Sequence, residues 1–355
     1  MIRPLPHIEA MRPYALADPL EPGTISLAQN ESAFPPSPRA VAAGEQAVKQ
    51  SLLYPDPDWT ELRQAISDVR GLPVETLLCG TGSMELIGAV IGAHAGPGNT
   101  VVATQYAYAF VATACTQIGA AYAQAQERDL TVNVDSILAR LTADTRLVFV
   151  ANPGNPTGTA IPNTEIVRLR HALPEHVLLI VDQAYAEFLD EEQPPTEVFS
   201  LVDQGNTAVI RTFSKAYALA GARVGWGCFP RQTAQHLRKV LNPNNVSVVS
   251  QAMATAAMRD QKHMRQIVKK TAQIRDGFAQ TARKLGITVR NSNTNFLLLQ
   301  FDDPATADRV DQALRQNGLL LRAMGGYGLP DCLRITIGEQ SIMNRVSDVL
   351  KEAMR

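Results

Sequence analysis

The sequence predicts an α/β protein, with a large domain built on a mostly parallel, doubly wound sheet and a smaller α+β domain. Three observations predict it. Short β-branched runs alternate with helical stretches through the middle of the chain, the pattern changes near residue 245, and the conspicuous polar residues lie just after the apolar runs. Such alternation indicates a parallel sheet covered by helices. In sheets of this kind, ligands gather at the carboxyl ends of the strands.

The opening 40 residues are rich in proline and contain PPSP at 35–38, which excludes a regular helix there and predicts an extended arm. LLCGTGSMELIGAVIGAH at 77–94 then reads as a short strand, a glycine turn and an amphipathic helix. Strands follow at NTVVAT (99–104), RLVFVAN (146–152), VLLIVD (177–182), AVIRT (208–212) and RVGWGCF (223–229). Beyond 245 comes a long helical region, then strands at NFLLLQF (295–301) and LRITIG (333–338), with one helix between them and one after. The expected division is an arm contributing to the small domain over 1–40, a large domain over 41–244 and a small domain over 245–355.

A chain of 355 residues is long enough for one large or two smaller cores. Its 45% apolar and 19% charged content is that of a globular enzyme, not of a disordered chain. A formal charge of −1 offers no basic footprint for nucleic acid, so small molecules are the expected partners. Cys79, Cys115, Cys228 and Cys332 lack the close spacing of a zinc site and read as buried thiols in a reducing compartment, with no metal expected. The start MIRPLPHIEA has no secretory pattern and VLLIV at 177–181 is too short for a bilayer, so a cytoplasmic location away from membranes is expected.

Several stretches carry chemistry. In GTGSME, the backbone N–H groups of Gly82, Ser83 and Met84 would point at an anion on a helix axis. Glu85 stands where a dinucleotide fingerprint needs its third glycine, NTVVATQY ends without a ribose-binding acid, and no GxxxxGK[ST] loop exists. ANPGNPTGT at 151–159 is turn chemistry, and reads either as a tight loop or as part of a site. Asp182 ends an apolar strand, where a carboxylate is costly unless it meets a cation. In TFSKAYALAGARVGWG, Lys215 reads either as a solvated side chain or as part of an anion site with Thr212, Ser214 and Arg223.

GTGSMELI, NPGNPTGT, VDQAYAEF, TFSKAYALAGARVGWG and LRITIG, in this order, resemble the pyridoxal-phosphate aminotransferases of fold type I, and most closely the histidinol-phosphate aminotransferases. The resemblance runs from MRPYAL and LAQNESAFPPSPRA to LRAMGGYGLPDCLRITIGE. It implies that Lys215 forms the Schiff base with the cofactor aldehyde, which needs an amine of lowered pKa in a semi-dry site. It implies that Asp182 pairs with the pyridine nitrogen and that Asn155 and Tyr185 donate to the ring hydroxyl. Tyr106 would stack on the ring, with Tyr108 the alternative. Gly82, Ser83, Met84, Thr212, Ser214 and Arg223 would hold the cofactor phosphate. Tyr54 would reach a neighbouring subunit's phosphate, so a homodimer with shared active sites is implied.

Arg334 and Arg322 are similar to the arginines that clamp substrate anions in the family, Tyr14 to a phosphate-contacting tyrosine, and Asn30 falls in the family's substrate-binding stretch. The resemblance thus implies amino-group transfer between histidinol phosphate and 2-oxoglutarate. The chain departs from the family at Gln183 where Glu is usual, Met84 where Asp is common, Pro35 where Gly is common, and TQYAYAF in place of the PTY stretch. Aminotransferases of aromatic or other amino acids and threonine-phosphate decarboxylases share nearly the same motifs. A regulator of this fold would append a DNA-binding domain, which the short arm cannot hold.

Overall fold

The computed structural model describes residues 2–11, 22–189 and 196–355. Near the start, Pro6–Glu9 forms a single turn, α1. The proline content did not exclude it, because Pro6 occupies the first helical position, where no N–H is needed. Further along the arm comes β1 (Ile25–Ser26). It ends at α2 (Pro38–Val48), which PPSP starts: Ser37 caps the helix by accepting from Arg39 N–H, and Pro38 is its first residue. Helix α3 (Thr60–Arg70) follows.

The large sheet is laid down by β2 (Leu77–Gly80), α4 (Ser83–His94), β3 (Thr100–Thr104), α5 (Phe110–Gln117), β4 (Ala121–Ala125), α6 (Val134–Ala139), β5 (Thr145–Ala151), α7 (Asn163–Ala172), β6 (Leu178–Asp182), α8 (Thr196–Asp203), β7 (Thr207–Thr212) and β8 (Gly225–Cys228). Its strand order is β2-β8-β7-β6-β5-β3-β4. Strand β8 pairs antiparallel with both β2 and β7, while the other pairings are parallel. Every residue of β6 and β7 is buried. Because successive side chains point to opposite faces, this requires cover on both faces of the sheet. The sequence reading missed β4, whose AYAQA has no β-branched residue and lies half exposed at the sheet edge.

After α9 (Arg231–Leu237) come α10 (Val248–Arg259), α11 (Gln261–Lys284), β9 (Thr288–Val289), β10 (Phe296–Gln300), α12 (Pro304–Gln316), β11 (Leu319–Leu320), β12 (Arg322–Ala323), β13 (Cys332–Thr336) and α13 (Gln340–Ala353). Strands β12-β13-β10-β9 form an antiparallel sheet with its own apolar core, which includes Phe278, Leu297, Leu299, Ile335 and Val346. Strand β1 pairs in parallel with β11, and Leu27 enters that same core, which ties the arm to the smaller unit. The larger core reaches past the expected boundary at 244/245: Ala254, Ala257 and Met258 of α10 join it, and α10 packs on α2 and α3. All four cysteines are buried and unpaired. No described helix is long and apolar enough to cross a membrane.

Candidate active site

The carboxyl ends of β5, β6 and β7 open into a cavity of about 490 Å³ that also receives the N-terminus of α4, the arm after β1, and the β12–β13 pair. Asp182, Lys215, Asn155 and Arg334 all line it. Residues read one by one from separate stretches of sequence therefore meet in one place.

One end of the cavity is built for an anion. Helix α4 is 12 residues long and starts after Gly82, whose φ is 83°. A Cβ on Gly82 would lie 2.5 Å from Arg223 Nη2, so the guanidinium rests directly on that glycine. Arg223, itself left-handed at φ 53°, donates to Ala220 O at 3.0 Å and to Ser214 Oγ at 3.4 Å. Thr212 Oγ1 donates to Ser214 Oγ at 3.0 Å and accepts from Ser214 N–H at 3.1 Å. A helix N-terminus, two hydroxyls and a guanidinium thus converge on one point, as a phosphate requires. Ser83 and Met84 line the cavity, while Gly82 acts by letting Arg223 approach.

Lys215 lies at the centre. Its Nζ donates to the carbonyls of Asn30 at 2.9 Å and Gln29 at 3.2 Å, and sits 5.9 Å from the Tyr185 ring centroid. Burial, reinforced by Arg334 and Arg223 against the opposing pull of Glu31 and Asp182, pushes its amine down to about 7. An amine in that state is available as a nucleophile and as a proton carrier near neutral pH. Asp182 is buried, and burial pushes its carboxyl up to about 6, against the Ala184 N–H that donates to Oδ1 at 3.0 Å and the charge of Lys215. A carboxylate so desolvated favours a cationic ligand atom in the cavity.

Asn30 organises the opposite wall. Its backbone is left-handed at φ 56°, its N–H donates to Thr336 Oγ1 at 2.8 Å, and its Nδ2 donates to the Tyr185 hydroxyl at 2.9 Å. Tyr185 is pushed up to about 12 by burial and keeps its phenol proton, which is left to donate elsewhere. Arg334 donates to Asn155 Oδ1 at 2.6 Å and to Ala28 O at 2.7 Å. Arg322 stands directly opposite Arg334 across the β12–β13 pair, so both guanidiniums lie on one face. An anion placed between them would be met by both.

The family model "Aminotransferase class I and II" matches the sequence over residues 22–350. The chain belongs to that family. The histidinol-phosphate aminotransferase of Jannaschia sp. (strain CCS1) is 41% identical over 330 residues, covering 93% of this chain and 90% of the relative. That of Rhodospirillum centenum is 39% identical over 356 residues, covering 99% and 98%. The crystal structure of histidinol-phosphate aminotransferase from Sinorhizobium meliloti in complex with pyridoxal-5'-phosphate superposes with a TM-score of 0.94 at 29% identity, covering 100% of this chain and 98% of that one. A Thermus thermophilus aspartate aminotransferase shares the fold, with a TM-score of 0.83 at 19% identity.

Not every expected residue of this aminotransferase reaches the cavity. Tyr106 lies outside it: the turn after β3, closed by Ala107 N–H on Thr104 O at 3.1 Å, packs the Tyr106 ring against the cluster of Leu298 and Met324. Tyr108 lines the cavity instead and donates to Met84 Sδ at 3.8 Å. Tyr54 is 89% exposed beside Leu52 and Leu53, away from the cavity of its own chain. Tyr14 lies outside the described residues. Gln183, the departure next to Asp182, is buried and accepts from Arg211 Nη2 at 3.1 Å, while Arg211 also pairs with Glu187 at 2.9 Å.

Sequence reasoning missed the Gln29 carbonyl, Glu31 and Tyr327 as parts of the cavity wall. LAQNESAF preceding a proline-rich turn was the available signal for the first two.

Proposed function

We propose that the chain is a pyridoxal-phosphate-dependent aminotransferase that moves an amino group between histidinol phosphate and 2-oxoglutarate. The observation that carries this is Lys215, a buried amine brought down to about 7 in the same cavity as Asp182 and the Arg223 anion cradle. These residues fit the cofactor: the cradle lies where a Cβ on Gly82 would intrude, and the buried Asp182 suits a protonated ring nitrogen. When bound, the cofactor supplies an aldehyde that carries the amino group and a ring that takes up electrons freed at the substrate carbon.

In this reading Ser83, Thr212, Ser214 and Arg223 anchor the cofactor phosphate, and Asp182 holds the ring nitrogen's proton. Lys215 Nζ would hold the aldehyde carbon, water leaving as that bond forms, and once the incoming substrate amine displaces it the freed Nζ would carry the proton taken from the substrate's amine-bearing carbon. Tyr185 and Asn155 orient the ring hydroxyl, and Tyr108 covers a ring face. Arg322 and Arg334 bind the substrate phosphate in one half-reaction and carboxylates in the other.

Exposed Leu52, Leu53 and Tyr54 support a second copy of the chain covering that surface, in a homodimer that shares its sites. Four unpaired buried thiols support a cytoplasmic setting. The test is a half-reaction: histidinol phosphate added to the cofactor-loaded protein converts the bound cofactor to its amine form, followed by absorbance. No conversion with histidinol phosphate but conversion with an aromatic amino acid, or release of carbon dioxide, would overturn the substrate assignment. Sedimentation as a monomer at micromolar concentration would overturn the dimer.

A further inference from the structure

We infer that Glu31 is a specificity residue: its carboxylate favours an amino donor with an imidazole N–H and disfavours one with a second carboxylate. The inference rests on the reading of the cavity as a histidinol-phosphate site and adds the recognition of the ring.

Six charged residues line the cavity. They are Lys215, Arg223, Arg322 and Arg334 against Asp182 and Glu31. The cofactor, as proposed above, engages Lys215, Arg223 and Asp182, which leaves two guanidiniums and one carboxylate to face the substrate. Two guanidiniums suit a phosphate dianion. The Glu31 carboxylate then has no role in anion binding, and its charge works against any acidic donor.

The backbone presents Glu31 firmly. Asn295 Nδ2 donates to Asn30 O at 3.0 Å and to Glu31 O at 3.2 Å, and Asn30 is locked on both sides by Thr336 and Tyr185. Among the described residues the Glu31 carboxylate takes part in no hydrogen bond or salt bridge, and it lies near enough to Lys215 to oppose the lowering of its pKa. A carboxylate at a cavity wall, held by its backbone and unsatisfied by the protein, accepts an N–H from a ligand. The imidazole of histidinol phosphate offers one, whereas glutamate offers a further negative charge.

The test compares wild type with Glu31→Gln as cofactor-loaded full chains, in single-turnover half-reactions with histidinol phosphate and with glutamate. The Glu31 side chain is exposed, and an unchanged cofactor absorbance and melting temperature establish that the variant is intact. The expected result is an apparent Kd for histidinol phosphate raised about fivefold, with that for glutamate unchanged or lowered. Any other pattern overturns the inference, including equal weakening of both amines or no change in either. Wild-type protein that does not react with histidinol phosphate at all would instead overturn the proposed function.

Discussion

The amine of Lys215 donates to the carbonyl of Asn30 at 2.9 Å, joining the loop after β7 to an arm 185 positions earlier in the chain. Asn30 presents that carbonyl because its backbone is left-handed and its side chain is fixed by Tyr185 and Thr336. Two roles are therefore separable. Asn30→Ala loses the hydrogen bonds and strains the backbone, while Asn30→Gly loses only the bonds. The alanine variant is expected to lose about 2–3 kcal/mol and the glycine variant about 1–2 kcal/mol. Urea unfolding measures both, and equal losses would remove backbone strain from the account.

Asp182 illustrates how a site costs stability. Its carboxyl is raised from 3.8 to about 6 in the fold, so its contribution is most favourable below 3.8 and is lost as pH rises through about 6. At neutral pH the cofactor-free protein carries the whole cost of a buried carboxylate. Asp182→Asn removes it and keeps an acceptor for Ala184 N–H. The variant without cofactor is expected to be more stable than wild type by about 1–3 kcal/mol near neutral pH, with the gain vanishing towards pH 4. Its turnover falls by orders of magnitude. A pH-independent stability difference would show that the carboxylate is not desolvated as described.

The residues most legible in the sequence were those whose type conflicts with their setting. Asp182 at the end of LLIVD and Lys215 among small residues and hydroxyls both ask for a partner, and the structure brings them into one cavity. Strand ends were legible because β5, β6 and β7 each carry a short apolar run, LVFVA, LLIV and AVI. What stayed hidden depends on backbone geometry. The Gln29 and Asn30 carbonyls hold Lys215 with groups every residue possesses, and only a turn separates Tyr106 from Tyr108. Strand β4 escaped because an exposed edge strand need not be apolar.

Gly82 is expected to be the least replaceable residue of the anion cradle. An added Cβ would meet Arg223 Nη2 at 2.5 Å, on a backbone whose φ of 83° already disfavours any side chain. Gly82→Ala must displace the guanidinium from the phosphate position and strain the start of α4. The expected outcome is a cofactor Kd at least about tenfold higher, from a loss on the order of 1–3 kcal/mol. Absorbance titration of the cofactor-free protein measures it. An unchanged Kd would mean that Arg223 does not serve the phosphate from this position.

Arg322 and Arg334 occupy paired positions on β12 and β13 but differ in how they are held. Arg334 is buried and committed to Asn155 Oδ1 and Ala28 O, so removing it also disturbs the neighbours it anchors. Arg322 is only half buried and can be removed with less damage. Arg322→Met is therefore expected to raise the KM for histidinol phosphate about 10- to 100-fold, the worth of a charge-assisted pair, and to leave unphosphorylated histidinol nearly unaffected. Arg334→Met is expected to weaken both substrates and to lower kcat and the melting temperature as well, because Asn155 loses its donor. Steady-state kinetics with the two amines, beside thermal melts, separates the roles. If Arg322→Met weakened both amines equally, the paired arginines would not be a phosphate clamp.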